Sequence, residues 1–246
     1  MYTGFGCYFD VIAIKQYTMG IYIIFGIFAL ISWAISSQLK SKFAKYSEMP
    51  ISNGMSGSEI ATKMLSDAGI HHVKVISVQG QLTDHYNPTD KTVNLSNEVY
   101  YGRSIAAAAV AAHECGHAVQ HAKSYAWLTM RSQLVPVVSV TSKYMQWILL
   151  AGIVLINFST LPLGIGIALF SLTTLFSFIT LPVEFDASFR ALKWLETARI
   201  TNTNNHGYAK DALKWAAMTY VVAALGSLAT LVYYIMIFMG NQRRSN

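Results

Sequence analysis

Charged residues are missing from three long stretches of this chain, and those gaps set the first expectations. Residues 16–39 hold 24 positions without a charge, residues 144–183 hold 40, and residues 215–242 are again free of charge. A helix rises about 1.5 Å per residue, so the first and last stretches are each long enough for one crossing of a ~30 Å hydrocarbon core. The middle stretch is nearly twice that length, and Asn157-Phe-Ser-Thr-Leu-Pro162 near its centre reads as a turn. It therefore predicts a hairpin, with helices near 137–157 and 162–183, and a fourth spanning helix lies within 221–240.

The segments between these blocks carry a different pattern. Residues 50–57 read as a loop, Ser58 as a candidate N-cap, 59–68 as a helix, and Gly69 as its stop. Residues 72–78 are β-branched and partly alternating, which predicts a strand, and 91–96 predict another across a turn-rich stretch. Two short strands offer either an edge for an extended substrate or a plain ribbon. Residues 104–123 are alanine-rich and free of proline, the composition of a helix. Its apolar run is too short to span and is bracketed by Arg103 and Lys123, so it is expected at the membrane interface. Residues 191–215 are amphipathic, with a loop at 201–207.

Composition agrees with a membrane protein. Of 246 residues, 53% are hydrophobic and 12% charged, against roughly 25% charged in an ordinary soluble domain. The net charge of +6 comes without any Lys/Arg run interleaved with aromatics, so the expected partner is a lipid bilayer and not nucleic acid. Lys40, Lys42 and Lys45 follow the first span directly, which places its C-terminal end in the cytoplasm and the N-terminus outside. On that orientation 14 of the 18 Lys and Arg residues lie on the cytoplasmic side and both termini lie outside, although Arg243 and Arg244 run against the rule. The first 16 residues hold Asp10 and Lys15 but no basic cluster, a poor start for a cleaved signal peptide. Cys7 and Cys115 fall on opposite sides, which argues against a disulfide between them. The expected organisation is a first segment and span (1–39), a cytoplasmic region (40–132), a transmembrane hairpin (133–183), a cytoplasmic segment (184–215), and a last span with its tail (216–246).

The chemistry concentrates in His113-Glu114-Cys115-Gly116-His117. Positions i and i+4 of a helix share one face, so two imidazoles at that spacing can hold one zinc ion. Glu114 would then sit beside the ion and take the proton of a water that zinc activates, which is metallopeptidase chemistry. Gly116 inside a helix costs up to ~1 kcal/mol relative to alanine, which predicts a close approach to the backbone on the metal's side. Cys115 reads either as a small buried side chain or as a redox-sensitive neighbour of the metal. His121 is eight residues from His113, about 12 Å along the axis, which is too far for both to share one ion. It reads as a polar residue near the membrane surface. His85 remains a candidate ligand, a transition-state donor or a structural histidine.

A catalytic zinc usually takes three protein ligands and keeps one position open. The hairpin returns the chain to the side on which the 113–117 helix lies, and the first charge after it is Glu184. Glu184 is therefore the favoured third ligand. Asp186 competes for that role, but in a helix it would face Arg190 as an i, i+4 ion pair.

These residues resemble a known family, the YugP-type membrane zinc metallopeptidases of bacteria. The likeness runs through Leu82-Thr-Asp-His-Tyr-Asn-Pro88, Val110-Ala-Ala-His-Glu-Cys-Gly-His-Ala-Val-Gln120 and Leu181-Pro-Val-Glu-Phe-Asp-Ala-Ser-Phe-Arg-Ala191. It extends over nearly the whole chain from about residue 40. It implies Zn2+ as cofactor, a bacterial plasma-membrane location, peptide or membrane-protein substrates, and metal binding by His113, His117 and Glu184, with Glu114 as base. The expected fold is mainly α and integral to the membrane. Four transmembrane helices would carry a small α+β, zincin-like (gluzincin-type) cytoplasmic catalytic domain. Broader zincins with a glutamate third ligand often place an aspartate four residues later to steady a ligating histidine. Here that position is Ser188, so the steadying partner must differ, and Asp186 and Arg190 are candidates. The expected activity is endopeptidase cleavage at the cytoplasmic face. The alternative is a zinc-binding scaffold or assembly factor without turnover. A channel or transporter finds no support, because no charge lies deep in the four spans.

Overall fold

A computed structural model describes the backbone of residues 4–245 and the side chains of residues 19–241. The element order is α1 (Gly4–Ser47), α2 (Gly57–Asp67), β1 (Lys74–Val78), β2 (His85–Asn87), β3 (Thr92–Ser96), α3 (Asn97–Tyr100), α4 (Ile105–Ala122), α5 (Ala126–Val154), α6 (Leu161–Thr197) and α7 (His206–Ser245). Helices α1, α5, α6 and α7 are each long and apolar enough to cross a membrane. They run well past the charge-free blocks. Helix α6 continues beyond Val183 to Thr197, and α7 begins at His206, well before residue 221. A charge-free block marks only the part of a helix suited to lipid. The backbone ladder continues wherever the residues tolerate it.

The chain divides into two compact units. The first gathers residues 1–33, 131–179 and 220–246. Among its described residues, Leu149, Ile153, Ile156, Leu163, Tyr234 and Ile237 form a buried cluster. Tyr22, Phe25, Leu30, Trp33, Trp147 and Leu150 are exposed, as lipid-facing side chains of spanning helices would be. A small residue sets the turn of the hairpin: a Cβ added at Gly152 would lie 2.5 Å from the Cα of Leu163. The backbones of α5 and α6 can meet there only because that Cβ is absent.

The second unit gathers residues 34–130 and 180–219. Helix α2 starts differently from the expectation. Ser56, not Ser58, is its N-cap, and Glu59 returns a carboxylate to the Ser56 backbone N–H at 2.6 Å to complete a capping box. Ser58 lies inside the first turn. The expected pair of strands is a three-stranded sheet of order β1-β3-β2, with β1 parallel and β2 antiparallel to β3. Strand β2 holds His85, in the stretch that reads as turn-rich. Asp84, just before it, accepts from the backbone N–H of Ser96 at 2.7 Å and ties the start of β2 to the end of β3. Burial pushes the Asp84 carboxyl above its ordinary range, and the Ser96 bonds oppose that shift.

Helix α4 lies at the centre of this unit. Fourteen of its 18 residues are buried, and its alanines let neighbours approach on several sides. Val93, Leu95, Val99, Ile60, Leu65, Leu195 and Leu213 join it in one apolar core. A helix apolar all round is a core helix, and here one face is also left for two histidines.

Candidate metal centre

Helix α4 is capped by Ser104, whose hydroxyl accepts from the Ala107 N–H at 3.2 Å. Two turns on, His113 and His117 stack edge-to-face, with ring centroids 4.8 Å apart. Helix α6 comes against this face of α4. A Cβ added at Gly116 would lie 2.6 Å from the carbonyl oxygen of Ala187. The glycine therefore admits the backbone of α6, and the close approach expected there is that of a helix.

Ala187 lies between Glu184 and Ser188, and both turn toward the histidines. Glu184 Oε2 is 3.3 Å from His113 Nε2 and 3.7 Å from His117 Nε2. One ligand atom from each of the three residues falls within 4.8 Å of the others. Two ligand atoms ~2.0–2.1 Å from an ion, at a tetrahedral angle, stand ~3.3–3.4 Å apart. The Glu184–His113 separation meets that requirement, the Glu184–His117 separation is a few tenths of an ångström wider, and the donor set of two imidazoles and a carboxylate suits zinc.

The other ring nitrogens are also engaged. His113 Nδ1 lies 3.1 Å from Ser188 Oγ, and His117 Nδ1 lies 3.0 Å from Gln120 Oε1. Gln120 Nε2 donates to the Val183 carbonyl and to Asp186 Oδ2, each at 2.8 Å. Arg190 Nε donates to the same Asp186 oxygen at 2.6 Å. Burial pulls the His117 imidazole down, but the Glu184 carboxylate and the Glu114 charge outweigh it and hold its pKa above the ordinary value.

Glu114 follows the first histidine on α4 and is 8% exposed. Cys115 is buried, with its thiol against the Ala61 carbonyl at 3.5 Å, and burial pushes that thiol well above its ordinary pKa. Of the two readings for Cys115, the packed side chain is the one observed. His121 joins Tyr86 Oη through Nδ1 at 2.7 Å, and His85 Nδ1 joins the Thr83 carbonyl at 2.8 Å. Neither is in the cluster of ligand atoms. Asp186 is also outside it and pairs with Arg190, as the i, i+4 spacing suggests. Sequence reasoning passes over Gln120 and treats Ser188 as a departure. The available signal is spacing: Gln120 is i+3 from His117, and Ser188 is i+4 from Glu184.

A mainly helical chain with four membrane-length apolar helices and a largely buried His-His-Glu cluster defines a membrane protein with a candidate metal centre. This chain belongs to the family described as "Putative neutral zinc metallopeptidase", whose model matches residues 21–239. It is 43% identical over 210 residues to "Putative membrane protease YugP" of Bacillus subtilis (strain 168). That alignment covers 85% of this chain and 92% of the relative. No solved structure matches the chain.

Proposed function

We propose that this chain is a membrane-bound zinc endopeptidase acting at the cytoplasmic face. His113, His117 and Glu184 hold the ion, and Glu114 serves as general base. The observation that carries the reading is the convergence of three ligand atoms, from two helices, within 4.8 Å. Zinc bound there supplies Lewis acidity, lowering the pKa of water and polarising a peptide carbonyl.

The chain's own residues supply the rest. Glu114, next to His113 on the same helix, takes the proton of the attacking water on a carboxylate oxygen and passes it to the departing amine. With two neutral imidazoles and one carboxylate as ligands, a divalent ion held there would keep a net positive charge. Strand β2 pairs with β3 on one side, and among the described residues its other side has no strand partner. An extended peptide can add to that edge by backbone hydrogen bonds. The cytoplasmic assignment rests on the bias of Lys and Arg toward segments 40–132 and 184–215.

The test is Glu114→Gln. Peptide cleavage should fall by at least about 100-fold, the scale of general-base catalysis, while zinc per chain stays at the wild-type value. Full cleavage in that variant contradicts the proposal. A cellular phenotype that survives Glu114→Gln but is lost in His117→Ala would instead support a zinc-dependent scaffold.

A further inference from the structure

Gln120 is fully buried on α4, and its side-chain amide is committed on every side. Its NH2 group faces two acceptors, the Val183 carbonyl and the Asp186 carboxylate, each 2.8 Å away. Neither acceptor can donate, so the amide has one orientation available and its oxygen must face His117 Nδ1, at 3.0 Å. A carbonyl oxygen accepts only, so Nδ1 is the nitrogen that carries the hydrogen. In the neutral ring the lone pair is then on Nε2, the atom facing Glu184. The chain of contacts ends at Arg190, whose Nε donates to the same Asp186 oxygen at 2.6 Å.

We infer that Gln120 is the positioning residue of the metal centre: clamped by Val183 and Asp186 of α6, it fixes the tautomer and rotation of His117, so one helical segment both supplies Glu184 and orients the ligand opposite. The inference rests on the proposed zinc site. It explains why the aspartate expected four residues after the third ligand is not needed. The job is divided, with Ser188 reaching His113 and a glutamine, itself held by Asp186, reaching His117. It also gives Asp186 a role other than that of ligand. The helix that would carry a misplaced Glu184 would misplace the Gln120 clamp with it, so the two ligands are set together.

The experiment measures zinc affinity of the full-length protein in detergent by competition with a chromophoric chelator. The set is wild type, Gln120→Leu, Asp186→Ala and Asp186→Asn, with His117→Ala as the metal-free reference. Histidine partners of this kind are worth about 10- to 100-fold in metal affinity. Gln120→Leu should weaken zinc binding by that range and still saturate at one ion per chain. Asp186→Ala should weaken it less, and Asp186→Asn, which keeps an oxygen to accept from Gln120, should recover affinity toward wild type. Cobalt(II) in place of zinc should give visible bands shifted in Gln120→Leu and not in Asp186→Asn. Equal affinity in wild type, Gln120→Leu and Asp186→Ala overturns the inference while leaving the zinc site standing. If Gln120→Leu does not fold, the Asp186 pair decides alone: loss in alanine with recovery in asparagine supports the clamp, and equal affinity overturns it. A wild-type protein that binds no more zinc than His117→Ala overturns the proposed function itself.

Discussion

Each histidine ring of the centre is held from two directions, and that sets what single substitutions should do. Ser188 reaches His113 on one nitrogen and Glu184 on the other. Ser188→Ala should therefore lower zinc affinity roughly tenfold, the lower end for such partners, with stoichiometry unchanged; chelator competition reads it. Cys115 sits one residue from the base, yet its thiol points into the core at the Ala61 carbonyl and stays protonated. In a Cys7→Ser background it should resist maleimide in the native protein and react on denaturation, since the thiolate is the reactive form. Rapid native labelling would show a thiol open to the site instead. At this scale the sequence points to His113, Glu114, His117 and Glu184, because helix periodicity and the hairpin's return are readable from spacing. Gln120 escapes, despite its local spacing from His117, because the contacts that hold it, with Val183 and Asp186, span more than sixty residues. No local pattern reports a contact of that range.

Between elements, the decisive contact is the crossing of α4 and α6 at Gly116. Gly116→Ala places a methyl 2.6 Å from the Ala187 carbonyl oxygen, so α6 must move, taking Glu184 and Ser188 with it. Helix propensity alone predicts a gain of up to ~1 kcal/mol from this change. The structure predicts a loss of both thermal stability and zinc affinity, and a stabilised, zinc-replete variant would contradict it. At the start of α2, Ser56→Ala removes a capping box and should cost about 1 kcal/mol, whereas Ser58→Ala should be nearly neutral; denaturant unfolding separates them. Two serines two residues apart satisfy the same start signal, and only the Glu59 partner at three residues' distance picks Ser56. Strand β2 is hidden for a related reason. It is three residues long, lies between Asp84 and Pro88, and owes its conformation to pairing with β3.

For the molecule as a whole, the proposed orientation rests on charge and hydropathy together. On the orientation proposed, single cysteines at Thr89 and Thr203 should label with an impermeant reagent only after the membrane is opened. A cysteine at Ser159, in the turn between α5 and α6, should label from outside in intact cells. The reverse pattern would move the site to the outer face. The count of membrane-length apolar helices is legible because lipid demands ~20 apolar residues from each crossing. Their true lengths are not, because α6 and α7 run on through charged turns into the second unit.

The measurement that bears most directly on the whole account is zinc per chain at saturating metal in the wild type, Glu184→Ala and Asp186→Ala. A carboxylate from α6 meeting the two α4 imidazoles predicts one zinc in the wild type, loss of tight binding in Glu184→Ala, and one zinc retained in Asp186→Ala. Stoichiometric, tightly held zinc in Glu184→Ala, or its loss in Asp186→Ala alone, would contradict it.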